Sequence, residues 1–224
     1  MPERPVALTV SLPTGGAVSG LLQAPTSGKA CYVFAHGAGA GMEHVFMGHI
    51  SKGLAERGIA SLRFNFPFME QGSKRPDLPA VAHAAICAAV AEAAKQLPGV
   101  PLFAGGKSYG GRMTTQAQAA EPLPGVEGIV LVGFPLHPAG KPSTERAAHL
   151  GSVKVPMLFL QGTRDALADV DLITRTTASL GKKATLHVVE GADHAFHVLV
   201  RSGRTDAQVH EELLDTMASW MMRC

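Results

Sequence analysis

The chain has 224 residues, 46% of them hydrophobic and 17% charged, and its net charge is +2 with histidine neutral. This composition excludes a disordered chain, and the lack of a basic run removes any electrostatic case for nucleic-acid binding. The length suits one domain, residues 1–224, large enough to bury a sizeable core. The three cysteines, Cys31, Cys87 and Cys224, are odd in number and irregularly spaced. They form neither a disulfide framework nor a metal-ligand pattern. Cys31 and Cys87 lie in apolar runs and are expected to be buried, whereas Cys224 is expected to be exposed. The first twelve residues lack a basic head followed by a long apolar run, and no stretch approaches a membrane span. A cytoplasmic location and no membrane partner are therefore the expectation.

In chain order, residues 6–12 and 17–22 read as two strands joined by the turn Pro13-Thr14-Gly15-Gly16. Residues 30–35 form a near-continuous apolar run, as in a strand covered on both faces. A helix is expected over 42–57, stopped by Gly58, and a strand over 59–64. A loop rich in Pro, Gly and charge covers 65–79, and the alanine-dense stretch 80–96 is a strong helix. Further strands are expected at 102–104, 129–132, 157–160 and 185–189, with helices at 109–120, 169–180 and 207–222. The stretch 133–155 begins as a loop with Pro135, Pro138, Gly140 and Pro142, and holds a short helix at 144–150. Strands alternating with helices predict an α/β fold: a mostly parallel twisted sheet with helices on both faces and an antiparallel edge from the opening hairpin.

The segment with chemical content is Gly106-Lys107-Ser108-Tyr109-Gly110, placed between a strand and a helix. This is G-x-S-x-G, in which a tight strand-to-helix turn projects the serine hydroxyl above the sheet. Small residues two before and two after Ser108 leave room for that backbone. Gly106-Lys107-Ser108 also matches the end of a phosphate-binding loop. The first glycine of that motif would fall on Pro101, and a strand occupies the loop's place, so nucleotide binding is set aside.

A serine hydroxyl needs a base, and the base needs a carboxylate to orient it. Asp165 and His194 each follow an expected strand, in the chain order Ser, Asp, His that this arrangement uses. All three fall in loops at the carboxyl edge of the sheet, where parallel sheets build their sites. Competing residues have simpler roles. Asp169 and Asp171 suit the start of the next helix, Asp193 suits a local cap, and His197 suits the surface. An oxyanion would be held by the backbone N–H of Tyr109 and by one from His36-Gly37-Ala38-Gly39-Ala40-Gly41. Ala38 is the first choice for that donor and Gly39 the second. His36 is expected to order this loop.

The strings Phe34-Ala35-His36-Gly37-Ala38-Gly39, Arg63-Phe64-Asn65-Phe66-Pro67 and Gly105-Gly106-Lys107-Ser108-Tyr109-Gly110-Gly111-Arg112, with Asp165 and His194, resemble the α/β-hydrolase superfamily. The likeness spans most of the chain. It is similar to the small, capless branch near dienelactone hydrolases and to bacterial relatives of a mammalian testis-expressed hydrolase-like group. The resemblance implies a serine esterase-like enzyme with a Ser108–Asp165–His194 triad, an ester-type small-molecule substrate and no metal or organic cofactor. Dienelactone hydrolases proper use a cysteine where this chain has Ser108. A non-catalytic scaffold on the same fold is the alternative; the presence of all three residues favours the enzyme.

The short stretch 133–155 predicts an open, shallow site without a full cap, bordered by residues 65–79 and 134–143. Phe66, Phe68, Met69 and Phe134 are candidates either for its lining or for the core. Glu70, Lys107 and Arg112 are charges near the expected site, with no assigned contact to substrate.

Overall fold

The computed structural model describes residues 4–13 and 15–224, so Thr14 of the expected first turn lies outside the described residues. Strands β1 (Val6–Ser11), β2 (Ala17–Gln23), β3 (Ala30–Ala35), β4 (Ile59–Phe64), β5 (Leu102–Lys107), β6 (Val126–Val132), β7 (Met157–Gly162) and β8 (Ala184–Val189) form one sheet. Its order is β1-β2-β4-β3-β5-β6-β7-β8. The pairs β1–β2 and β2–β4 are antiparallel; from β4 through β8 every pair is parallel. The expected mostly parallel sheet with an antiparallel hairpin edge is therefore the architecture observed.

Helices α1 (Val45–Glu56), α2 (Pro67–Glu70), α3 (Pro79–Gln96), α4 (Tyr109–Ala120), α5 (Val170–Ser179) and α6 (Asp206–Met221) cover the sheet. The two-residue period of β3 shows how both faces are filled. Cys31, Val33 and Ala35 join α3 residues such as Ala85, Ile86 and Ala89 on one side. Ala30, Tyr32 and Phe34 join α1 and α6 residues such as Ile50, Leu54, Leu213 and Met217 on the other. A strand buried on both faces loses alternation and reads as a continuous apolar run.

Several boundaries differ from the sequence expectation. α1 starts at Val45, where the His44 side chain accepts from the Phe46 N–H at 3.2 Å. The expected loop 65–79 contains α2, with Pro67 at its first position, and α3 begins at Pro79 itself. Proline breaks helices in their interior but fits the first turn, where no N–H is needed. Within 133–155, two 3-10 turns, Glu145–Ala147 and Leu150–Ser152, replace the expected short helix. Cys87 is exposed on α3, which corrects the expectation of burial, because alanine density hides which face of that helix meets solvent. Cys31 is buried and Cys224 exposed, as expected. No cap domain interrupts the sheet, and no helix among the described residues is long and apolar enough to cross a membrane.

β5 runs to Lys107, three residues past the expected end. Glycine has poor strand propensity, but here only glycine fits. A Cβ on Gly106 would lie 2.5 Å from the Ala35 carbonyl oxygen, and one on Gly105 would lie 1.8 Å from that of Val130. These contacts bring β3, β5 and β6 together beneath the turn that carries Ser108.

Candidate active site

Loops from four parallel strands meet at the carboxyl edge of the sheet. β3 and β5 are neighbours there although their connections run to opposite sides, which is where open α/β sheets form a crevice. Ser108 sits between β5 and α4 with φ 52 and ψ −115, a conformation that residues with a side chain rarely adopt. Its N–H donates to the Val132 carbonyl at 3.1 Å and its own carbonyl accepts from the Arg112 N–H at 3.1 Å. The strained turn is thus held by β6 on one side and by the first turn of α4 on the other.

The Ser108 hydroxyl lies 2.9 Å from His194 Nε2, and His194 Nδ1 lies 2.7 Å from Asp165 Oδ2. With the ring proton on Nδ1, the imidazole donates to Asp165 and accepts from Ser108. The Asp165 side chain is 0% exposed and that of His194 26% exposed, so the carboxylate is sealed while the ring edge stays reachable. Asp165 Oδ1 accepts from the Leu167 N–H at 2.8 Å, and Oδ2 also accepts from Gln161 Nε2. The structure therefore brings together all three residues singled out in the sequence. It adds Gln161, which sequence reasoning missed; the signal was a polar residue near the end of the apolar run of β7.

His194 belongs to a tight turn. Asp193 Oδ1 accepts from the N–H groups of Ala195 at 2.8 Å and His197 at 3.0 Å, as expected of a local cap. Phe196 is fully buried with φ 64. His197 points away and pairs with Asp206 at 2.7 Å. Asp169 caps α5, its side chain accepting from Asp171 N–H at 3.1 Å and Leu172 N–H at 3.0 Å.

His36 does order its loop. Its Nε2 accepts from the Phe66 N–H at 3.0 Å, which leaves the proton on Nδ1 to donate to the Gly37 carbonyl at 2.7 Å. Burial lowers its pKa, against the Gly37 hydrogen bond that raises it. The ring is a neutral brace with both nitrogens occupied. Ala40 N–H returns to the Gly37 carbonyl at 3.1 Å, so residues 37–40 form a turn. Gly37, Ala38 and Gly39 line a cavity together with Ser108 and His194. Tyr109 opens α4, and first-turn N–H groups have no acceptor within their helix.

That cavity measures about 360 Å³ and is walled mainly by Ala38, Ala40, Phe46, Met47, Leu167 and Ala195. The expected walls, residues 65–79 and 134–143, do not line it. Phe66, Phe68 and Phe134 are core residues instead, buried to within 1% exposure. Phe66 and Phe68 pack edge-on against both His36 and Tyr109 and support the site from below. Glu70 is bound to the Ser19 N–H at 2.8 Å on β2, and Arg112 lies outside the lining. Lys107 lines the cavity, but its ammonium turns inward to the His194 carbonyl.

A sequence model described as an alpha/beta hydrolase domain matches residues 28–222. Among solved structures, the chain is similar to a dienelactone hydrolase from Anabaena variabilis, with 19% identity, a TM-score of 0.78, and 99% of this chain and 98% of that one covered. It is similar to a serine hydrolase without a lid from Xanthomonas campestris, at 21% identity and TM-score 0.76, covering 98% and 96%. The esterase domain of a Rhodothermus marinus protein matches at 16% identity and TM-score 0.74, covering 99% of each chain.

Proposed function

Because the chain belongs to the alpha/beta hydrolase domain family, we propose that it is a serine hydrolase that cleaves a carboxylester or thioester through an acyl-enzyme on Ser108. The observation that carries this reading is the continuous hydrogen-bonded line from Asp165 through His194 to a strained, cavity-facing Ser108. Solved relatives named as an esterase and as a serine hydrolase agree with it in reaction class.

His194 Nε2 takes the Ser108 proton as the serine oxygen attacks the acyl carbon. The carbonyl oxygen becomes an oxyanion, held by the Tyr109 N–H and the Ala38 N–H. Each such donor is worth roughly 3–4 kcal/mol of barrier. The imidazolium, stabilised by Asp165, then gives its proton to the departing alcohol or thiol. Water, deprotonated by the same nitrogen, releases the acid and restores Ser108. The proton stays on the imidazole and is not passed on to Asp165. Its bonds from Leu167 and Gln161 fix the carboxylate against rotation, which fixes the ring.

The cavity lies near the lower end of the range for small-molecule sites and has apolar walls. It suits a short, uncharged acyl group. Short-chain p-nitrophenyl esters test the proposal: the parent protein should hydrolyse them with a burst of p-nitrophenol, and Ser108→Ala should remove both burst and turnover while keeping its unfolding temperature. Unchanged turnover by Ser108→Ala would refute it.

A further inference from the structure

The side chain next to the nucleophile has no role in the reaction just described, yet its setting is specific. Lys107 ends β5, and its Nζ donates to the backbone carbonyl of His194, the residue proposed as the base. The ammonium also lies 5.2 Å from the centre of the Phe196 ring, two residues further along the same turn. Gly133, at the end of β6 with φ +68, leaves the space for this: a Cβ there would stand 2.9 Å from Lys107 Nζ and 3.5 Å from the His194 ring. One cation thus binds the base-bearing turn at two points and is enclosed by β6 on the third side.

From this geometry we infer that Lys107 is a positioning residue, whose charged side chain clamps the His194 turn to the strand carrying Ser108 and so sets the distance between base and nucleophile. The inference rests on the hydrolase reading above. Its physical basis is where the turn's other ties lead: Asp193 and the bridge between Ala192 and Val198 hold it to itself, the Arg164 N–H donating to the Ala192 carbonyl at 2.9 Å and the His194–Asp165 pair tie it to the β7–α5 connection, and the Val198 N–H donates to Asp206 on α6. Those contacts shape the turn but do not tie it to β5. The His194–Ser108 hydrogen bond alone would have to do so, and that bond is broken and remade in every catalytic cycle.

Stability does not explain the lysine. Burial is the largest influence on the ammonium and opposes its charge, with Asp165 and Asp193 acting the other way, and its pKa comes down to about 8. For a lysine lowered in this way, the unfolded chain binds the proton more tightly than the folded one. The charged form therefore weakens the fold below the folded pKa, and stability gains as pH rises through the interval from about 8 to lysine's ordinary value of 10.5. The charged groups facing Nζ are Asp165 from the β7–α5 connection and Asp193 from the turn itself; from β6 it meets Gly133 and from the turn the Phe196 ring. As pH passes about 8 the ammonium loses its proton and with it the charge-assisted hold on the His194 carbonyl.

Lys107→Met, which keeps the apolar stem and removes the charge, is the test. The parent protein should show kcat on a short-chain ester falling through an alkaline limb near pH 8. At pH 7, Lys107→Met should lose about 10–100-fold in kcat, the scale of a small misplacement of a reacting group, with KM changed less than about threefold. Its limb should be gone and its unfolding temperature within about 3 °C of the parent or above it. A parent profile flat from pH 7 to 10 overturns the inference whatever the variant does. So does a variant with parental kcat, or one whose lost activity merely follows lost folded protein. If the parent hydrolyses no ester and Ser108 is not labelled by a fluorophosphonate, the hydrolase reading fails and the clamp falls with it; a labelled parent with an unaffected variant refutes the clamp alone.

Discussion

Gly110→Ala sets local preference against tertiary packing. Gly110 lies in the first turn of α4, where alanine is the better helix former by about 1 kcal/mol. Helix propensity alone therefore predicts stabilisation. In the fold, the added Cβ would stand 2.5 Å from the Ala35 carbonyl oxygen, 2.6 Å from the Ala35 carbonyl carbon and 2.6 Å from the His36 carbonyl oxygen. All three are backbone atoms of the segment leading into the 37–40 turn, so no side chain can rotate away. Ordinary contact requires the two segments to part by roughly 0.8 Å, and overpacking of this kind costs about 1–3 kcal/mol. Set against the propensity gain, the net cost is about 0–2 kcal/mol, a fall in unfolding temperature of up to about 8 °C, measured by calorimetry. The same displacement moves Ala38 away from Tyr109, the two proposed oxyanion donors, and should lower kcat by up to about 100-fold. An unfolding temperature equal to or above the parent's, with kcat unchanged, would refute the packing argument.

Two further predictions concern side chains. His194→Ala should lower kcat by about 10⁴-fold or more, whereas His197→Ala, which loses only an exposed pair with Asp206, should change it less than about threefold in the same ester assay. The reverse order would mean that the wrong histidine has been assigned. A thiol reagent such as DTNB should titrate Cys87 and Cys224 in the native protein and Cys31 only after denaturation, since burial pushes the Cys31 thiol up to about 12. Rapid native reaction at all three thiols would contradict the packing of β3.

Much of this arrangement is legible in the sequence because it depends on short-range signals. The strand–turn–helix around Ser108, the polar loops after apolar strands at Asp165 and His194, and the glycine-rich segment after β3 each announce themselves locally. What stayed hidden depends on where segments meet. The phenylalanines at 66, 68 and 134 declare burial but not location, and they went into the core rather than around the site. The cavity walls come instead from the start of α1, from Leu167 and from Ala195, residues with no local mark. Gln161 and Lys107 act through partners 4 and 87 positions away, so their roles appear only once β7 and β5 are set beside the loops they hold. The glycines that end β5 weaken its strand signal for the same reason that they are needed there: neighbouring carbonyls occupy the place of a side chain.

The central claim is that Ser108 is an activated nucleophile, and a fluorophosphonate probe reads this directly. Incubated with purified protein and followed by mass spectrometry of proteolytic fragments, the probe should add one label to the peptide containing Ser108 and none to folded Ser108→Ala. A well-folded parent that takes up no label, or a Ser108→Ala protein labelled to the same extent, would contradict the account.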